Sequence, residues 1–201
     1  MTKPEGVVQY RCILQRQVLR TGPGLLAEIN RWRRAMRERG WLGQDPRRYG
    51  GLGFGNISRR TADGFLVSAT QTGHLKTLTA DNLVLVTAAL PEENRLYATG
   101  QVQPSSEAMT HAAIYRAVAV AGAVIHVHAP ELWRAAAGRD WQRTDPSIPY
   151  GTPEMAAAIA ALAERDHRLI VMGGHRDGVL AWGDSLAAAA AVLDEAARTV
   201  S

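Results

Sequence analysis

Residues 123–128 read Ala123-Val124-Ile125-His126-Val127-His128, a β-branched run carrying two imidazoles. With no turn former inside it, the run from Val124 to His128 reads as a buried strand. Alternate side chains on a strand share a face, so His126 and His128 point together, while Ile125 and Val127 point the other way, into the core.

The sequence on either side shows what surrounds this strand. Downstream, Trp133–Ala137 reads as a helical turn, and Gly151-Thr152-Pro153-Glu154 starts a helix that ends near Arg165. Leu169–Met172 and Val179–Trp182 read as strands. The Gly173-Gly174-His175-Arg176-Asp177-Gly178 turn between them is tight enough to imply antiparallel pairing. Ser185 caps an alanine-rich helix to about Arg198. Upstream, Pro104-Ser105-Ser106-Glu107 opens a helix to about Val120, and Phe65–Ser68, Leu83–Thr87 and Leu96–Thr99 read as strands. Leu25, Leu26, Ile29, Trp32 and Met36 recur at helical spacing, which predicts a helix from about Leu25 to Arg39, after the breaker Gly22-Pro23-Gly24. Val7–Leu14 alternates and reads as a first strand, an addition at the N-terminus. Strands and helices alternate without long structureless linkers. The expectation is one α/β domain over residues 1–201, with helices on both faces of a mixed sheet.

Composition narrows the function classes. The 201 residues are 46% hydrophobic and 21% charged, so the chain can bury a core without a disulfide or structural metal, and a metal site would be functional. The longest apolar runs, Ala117–Ile125 and Leu186–Leu193, fall far short of the roughly 18–20 residues of a spanning helix. An N-terminus without an apolar stretch and a single cysteine, Cys12, favour a cytoplasmic location. The net charge of +4 includes a crowd of arginines at 31, 33, 34, 37 and 39, with Arg47 and Arg48 following. A solvated helix or a subunit contact accounts for them, and no nucleic-acid partner is expected. Excess positive charge also attracts small anionic substrates.

Four patterns carry chemistry. His126-Val127-His128 spaces two imidazoles to chelate one metal ion, although two hydrogen-bonded core histidines fit the same pattern. His175 in its glycine-rich turn supplies a third ligand with open coordination positions, or else a solvent-exposed turn residue. His74, His111 and His167 lack such a setting. Ser105-Ser106-Glu107 at a helix start offers free N–H groups, hydroxyls and a carboxylate beside a bound anion, and also suits ordinary capping. Gly50-Gly51-Leu52-Gly53-Phe54-Gly55-Asn56-Ile57-Ser58 is neither a Walker A loop nor a dinucleotide fingerprint, since a strand follows it. Thr70-Gln71-Thr72-Gly73 is a further polar turn.

Taken in order, Gly55-Asn56-x-Ser58, Thr72-Gly73, Ser105-Ser106-Glu107, His126-x-His128 and His175 resemble the class II aldolase/adducin family, from about Leu25 to Ala197. His111, Tyr115 and the Gly151–Glu154 helix start fit as well. The resemblance implies a three-layer α/β/α sandwich with a central mixed sheet. It implies one divalent metal per chain, zinc first, with manganese, iron or cobalt also suited to such ligands. The metal would be held by His126, His128, His175 and, at rest, Glu107, which then serves as acid/base. A substrate phosphate would lie among Gly55, Asn56, Thr72, Gly73, Ser105 and Ser106. The implied activity is a lyase, acting on a small phosphorylated hydroxy-carbonyl or sugar compound through a metal-stabilised enediolate. Aldol cleavage leads, with dehydration, decarboxylation and epimerisation on the same scaffold. Family enzymes are commonly homotetramers with sites at subunit interfaces. A non-catalytic adducin-like interaction domain is the alternative, but such domains lack the full histidine set kept here.

The sequence departs from the pattern in places. The stretch between His128 and Gly151 is short and contains Trp133 and Trp141, with Tyr150 at its end, where family aldolases take a proton-donating tyrosine from a neighbouring subunit. The chain also reaches Ser201 without the tail that closes over the site in those aldolases.

Overall fold

A computed structural model describes residues 7–200. Its elements, in chain order, are β1 (Arg11–Arg16), α1 (Pro23–Glu38), β2 (Gly43–Gln44), β3 (Gly53–Phe54), β4 (Asn56–Thr61), β5 (Gly64–Ser68), β6 (Leu83–Leu90), β7 (Arg95–Gly100), α2 (Ala108–Ala117), β8 (Ala123–His128), α3 (Pro130–Ala135), β9 (Gln142–Arg143), α4 (Pro153–Glu164), β10 (Leu169–Val171), β11 (Gly178–Gly183) and α5 (Leu186–Val200). The main sheet has nine strands in the order β1-β7-β6-β5-β4-β8-β11-β10-β9, and β2 pairs with β3 in a separate small hairpin. The two parallel pairs, β1–β7 and β10–β9, lie at the two edges, and the interior pairs are antiparallel. The sheet is therefore mixed, as the tight turn before β11 predicts.

Two apolar layers sandwich it. Val124, Phe65, Val67, Leu180 and Trp182 pack with Met109 and Ile114 of α2 and Met155 and Ile159 of α4. Ile125, Val127, Ile57 and Val179 pack on the opposite face with Ile29 and Met36 of α1, Leu132 of α3 and Leu193 of α5. This is the three-layer α/β/α arrangement. β8 is buried along its whole length, and Val124, Ile125 and Val127 each contribute about 1.5–3 kcal/mol of burial.

Several boundaries differ from the sequence reading. The first strand is Arg11–Arg16 rather than Val7–Leu14, because its register is set by β7, with Arg11 opposite Arg95. α1 begins at Pro23, which fits a first-turn position and so starts the helix instead of breaking it. α2 starts only at Ala108 and ends at Ala117, not Val120. The Arg60 guanidinium takes the carbonyls of Tyr115, Val118 and Ala121 and so finishes that helix. The helical turn expected at Trp133–Ala137 starts earlier, with Pro130 in the first turn of α3. Short β9 was not foreseen from the sequence, since two residues carry no periodicity.

The turn that carries His175 pairs β10 and β11 antiparallel, as expected, and its two glycines are required for space. Neither Gly173 nor Gly174 has a positive φ. Both are needed because the 144–148 segment crosses directly over them. A Cβ on Gly173 would lie 2.1 Å from the Thr144 carbonyl oxygen, and one on Gly174 would lie 1.8 Å from that of Ile148. Gly174→Ala should therefore destabilise the fold by about 2 kcal/mol or more. Equilibrium urea unfolding checks this, and an unchanged midpoint would mean that the segment yields freely.

Candidate metal and anion site

Strand register builds the site. β4 and β11 flank β8, with Asn56 opposite His126 on one side and Gly178 opposite His128 on the other. The turn leading into β11 therefore sits at the end of β8 and brings His175 over the paired imidazoles. The ring centroids of the three histidines lie 4.9–5.0 Å apart, and one nitrogen from each falls within 4.8 Å of the others. All three are buried, with exposures of 1–3%.

Burial, followed by the neighbouring imidazoles, pushes His126 and His128 well below the usual histidine range. Both are neutral, the form a metal requires. The His126 Nε2 is buried and has no hydrogen-bond partner among the described residues, while its Nδ1 lies 3.1 Å from the Asn56 amide nitrogen. A buried ring nitrogen left this way costs free energy unless it is ligated. The donor set thus fits a divalent ion that accepts imidazole nitrogen.

Glu107 stands beside this trio. It occupies the residue before α2, not the first helical turn, and is 1% exposed. Its Oε1 lies 3.8 Å from His175 Nδ1, and its Oε2 accepts a hydrogen bond from the Thr110 hydroxyl at 2.7 Å. Ser105 Oγ accepts from the Glu107 N–H at 3.4 Å, which shapes this turn locally. Gly55, Asn56, Thr72, Gly73, Ser105, Ser106, Glu107 and the three histidines line one pocket. Residues far apart in sequence are thereby gathered around a single cavity.

Structure adds Tyr10 and Tyr49, which the sequence patterns did not single out, and gives a setting to His111, Tyr115 and Tyr150. His111 is fully buried, with its Nδ1 2.6 Å from Ser58 Oγ, which in turn lies 2.8 Å from the Tyr115 hydroxyl. Burial pushes His111 down to about 3. Glu107, His111 and Tyr115 recur four residues apart, and that spacing on one helical face was the available signal. Tyr10, just before β1, donates to the Ser105 carbonyl at 2.7 Å and so ties the N-terminal segment to the 105–107 turn. Tyr49 packs edge-on against His128, with its hydroxyl donating to Asp177 at 2.7 Å. Tyr150 stacks on His175 with 4.7 Å between centroids. Trp133 and Trp141 are engaged elsewhere, under the guanidinium groups of Arg143 and Arg139.

Residues 45–201 match the family model described as the class II aldolase and adducin N-terminal domain. Methylthioribulose-1-phosphate dehydratase from Gluconacetobacter diazotrophicus is 40% identical over 74 residues, which cover 37% of this chain and 34% of that protein, so the match spans about a third of that relative. 3-Oxo-tetronate 4-phosphate decarboxylase from Cupriavidus necator is 29% identical over 164 residues, 72% of this chain and 71% of that one. The fold is shared with solved structures. YgbL from Klebsiella pneumoniae, whose description offers aldolase, epimerase or decarboxylase as alternatives, superposes with a TM-score of 0.68 at 24% identity over 90% of each chain. L-fuculose-1-phosphate aldolase from Thermus thermophilus gives 0.65 at 21% identity over 86% of this chain and 88% of that one.

The buried His111 has a consequence for stability. Its folded value of about 3 lies below the ordinary 6.5, so between those values the unfolded chain takes up a proton that the folded chain refuses. Stability contributed by this group is present above pH 6.5 and is lost as pH falls toward 3. The melting temperature of the wild type should fall more steeply from neutral to acidic pH than that of His111→Gln. Parallel slopes in a thermal-melt series would contradict this.

Proposed function

Because the chain belongs to the class II aldolase and adducin family, we propose that it is a divalent-metal-dependent lyase acting on a small phosphorylated hydroxy-carbonyl compound. The observation that supports this most is the cluster of three buried histidines, with a single carboxylate, Glu107, in the same pocket wall. His126, His128 and His175, with Glu107 beside them, would hold the ion, and zinc suits this set first. Once bound, the ion supplies Lewis-acid stabilisation of negative charge developing on substrate oxygen. Glu107, steadied by Thr110, moves the proton at the reacting end. Ser105, Ser106, Thr72, Gly73, Gly55 and Asn56 hold the phosphate, whose binding energy positions that end. The assembly is a homotetramer.

Aldol cleavage is the first reaction to test. Dehydration or decarboxylation is the second reading, favoured by the names of the two relatives, both of which refer to phosphorylated compounds. Incubation with a panel of ketose and oxo-acid phosphates separates these outcomes by the product released: an aldehyde, water lost from the substrate, or carbon dioxide.

Elemental analysis of protein purified without chelator or affinity metal should find about one divalent ion per chain. His126→Ala should remove it while leaving a folded protein. Wild-type protein that neither carries nor takes up zinc would overturn the lyase reading in favour of an interaction domain. Glu107→Gln should lower turnover by about 10²–10⁴-fold and leave phosphate-ligand binding in place. Full activity in that variant would refute the proton-transfer role.

A further inference from the structure

Arg33 is 1% exposed, and among the described residues no carboxylate pairs with it. Burial, then neighbouring Arg37, lowers it to about 10, so it stays cationic at neutral pH. A buried cation without an anion is costly and calls for compensation. Its guanidinium donates to the Leu75 and Thr72 carbonyls, with Lys76 and Gly73 carbonyls at 3.5 Å, and Arg37 donates to the Gly73 carbonyl. One turn earlier on α1, Asn30 closes the same segment by bonding both the N–H and the carbonyl of Leu78, at 2.8 and 2.9 Å. The segment gripped in this way is the turn that carries Thr72 and Gly73 into the pocket.

Peptide planarity gives the grip a direction. In a trans peptide the carbonyl and the following N–H point oppositely. Drawing the Thr72 carbonyl toward α1 therefore aims the Gly73 N–H away from α1, and that N–H has no acceptor among the described residues. The backbone of this turn also lies close against the 43–53 hairpin, since a Cβ on Gly73 would fall 2.0 Å from the Gly43 carbonyl oxygen.

We propose that Arg33, assisted by Arg37, is a positioning residue of the anion subsite: it orients the 72–75 peptides so that Gly73 N–H faces the substrate, and its unpaired charge adapts the subsite to a phosphate monoester dianion over a neutral sugar end. This rests on the phosphate reading above. Both arginines precede the family-matched residues 45–201, so the device belongs to the N-terminal part of this chain.

The test is calorimetric titration of metal-loaded protein with inorganic phosphate, comparing wild type with Arg33→Met, Arg33→Lys, Arg37→Met and Ser106→Ala. Arg33→Met should weaken phosphate binding at least about tenfold with metal affinity unchanged, and Arg33→Lys, which keeps the charge but not the fork, should fall between it and wild type. Arg37→Met should weaken it by a smaller factor, which keeps the proposal testable even where Arg33→Met does not fold. Variants that melt lower yet bind phosphate as tightly as wild type, while Ser106→Ala binds weakly, would reduce Arg33 to a structural role and overturn the proposal alone. Wild-type protein that holds metal but does not bind phosphate would overturn the subsite itself.

Discussion

The pairing of β8 with β4 on one side and β11 on the other is the constraint on which the rest depends. Side chains on a strand alternate, so a slip of one residue would turn His126 and His128 toward α1 and α5 and Ile125 and Val127 toward the pocket. The apolar layers forbid that slip, because Ile125 and Val127 fill one layer and Val124 the other. The same register places Asn56 beside His126 and delivers His175 at the mouth of β11. The energy that orients the histidines is thus the packing of the core, and the polar groups inherit their geometry from it.

Desolvation works in the same direction. The interior that locks the register also keeps His126 and His128 neutral, so their nitrogens face one another as lone-pair donors rather than as repelling cations. The site then needs its polar neighbours arranged from outside. Tyr10 fixes the Ser105 carbonyl, Ser58 and Tyr115 fix His111, and Arg33 with Arg37 fixes the 72–75 turn. Each of these contacts joins residues far apart in sequence.

The fold class was legible because periodicity and turn chemistry are local. The β8 run, the antiparallel pair around Gly173–Gly178 and the helix of Met36 declare themselves by spacing, and the helices of Ile159 and Leu193 by their start signals. Boundaries were less legible, since β1 takes its register from β7 and α2 is ended by Arg60, partners that spacing does not reveal. Among site residues, the His126-x-His128 pair could be placed on one face from a two-residue repeat. Arg33 could not, because it reads as a member of a solvated arginine run, and His111 was signalled only by its four-residue spacing from Glu107 and Tyr115.

By itself, the sequence determined an α/β sandwich, a strand presenting two imidazoles together and a set of polar turns suited to an anion, because each follows from short-range stereochemistry. Only the tertiary structure decided that His175 meets that pair, that Glu107 stands beside it and that one arginine of α1 is buried against the Thr72–Gly73 turn. Those facts depend on which strands become neighbours and which helix covers which face. That choice is made by the whole buried surface and is not encoded in any single segment.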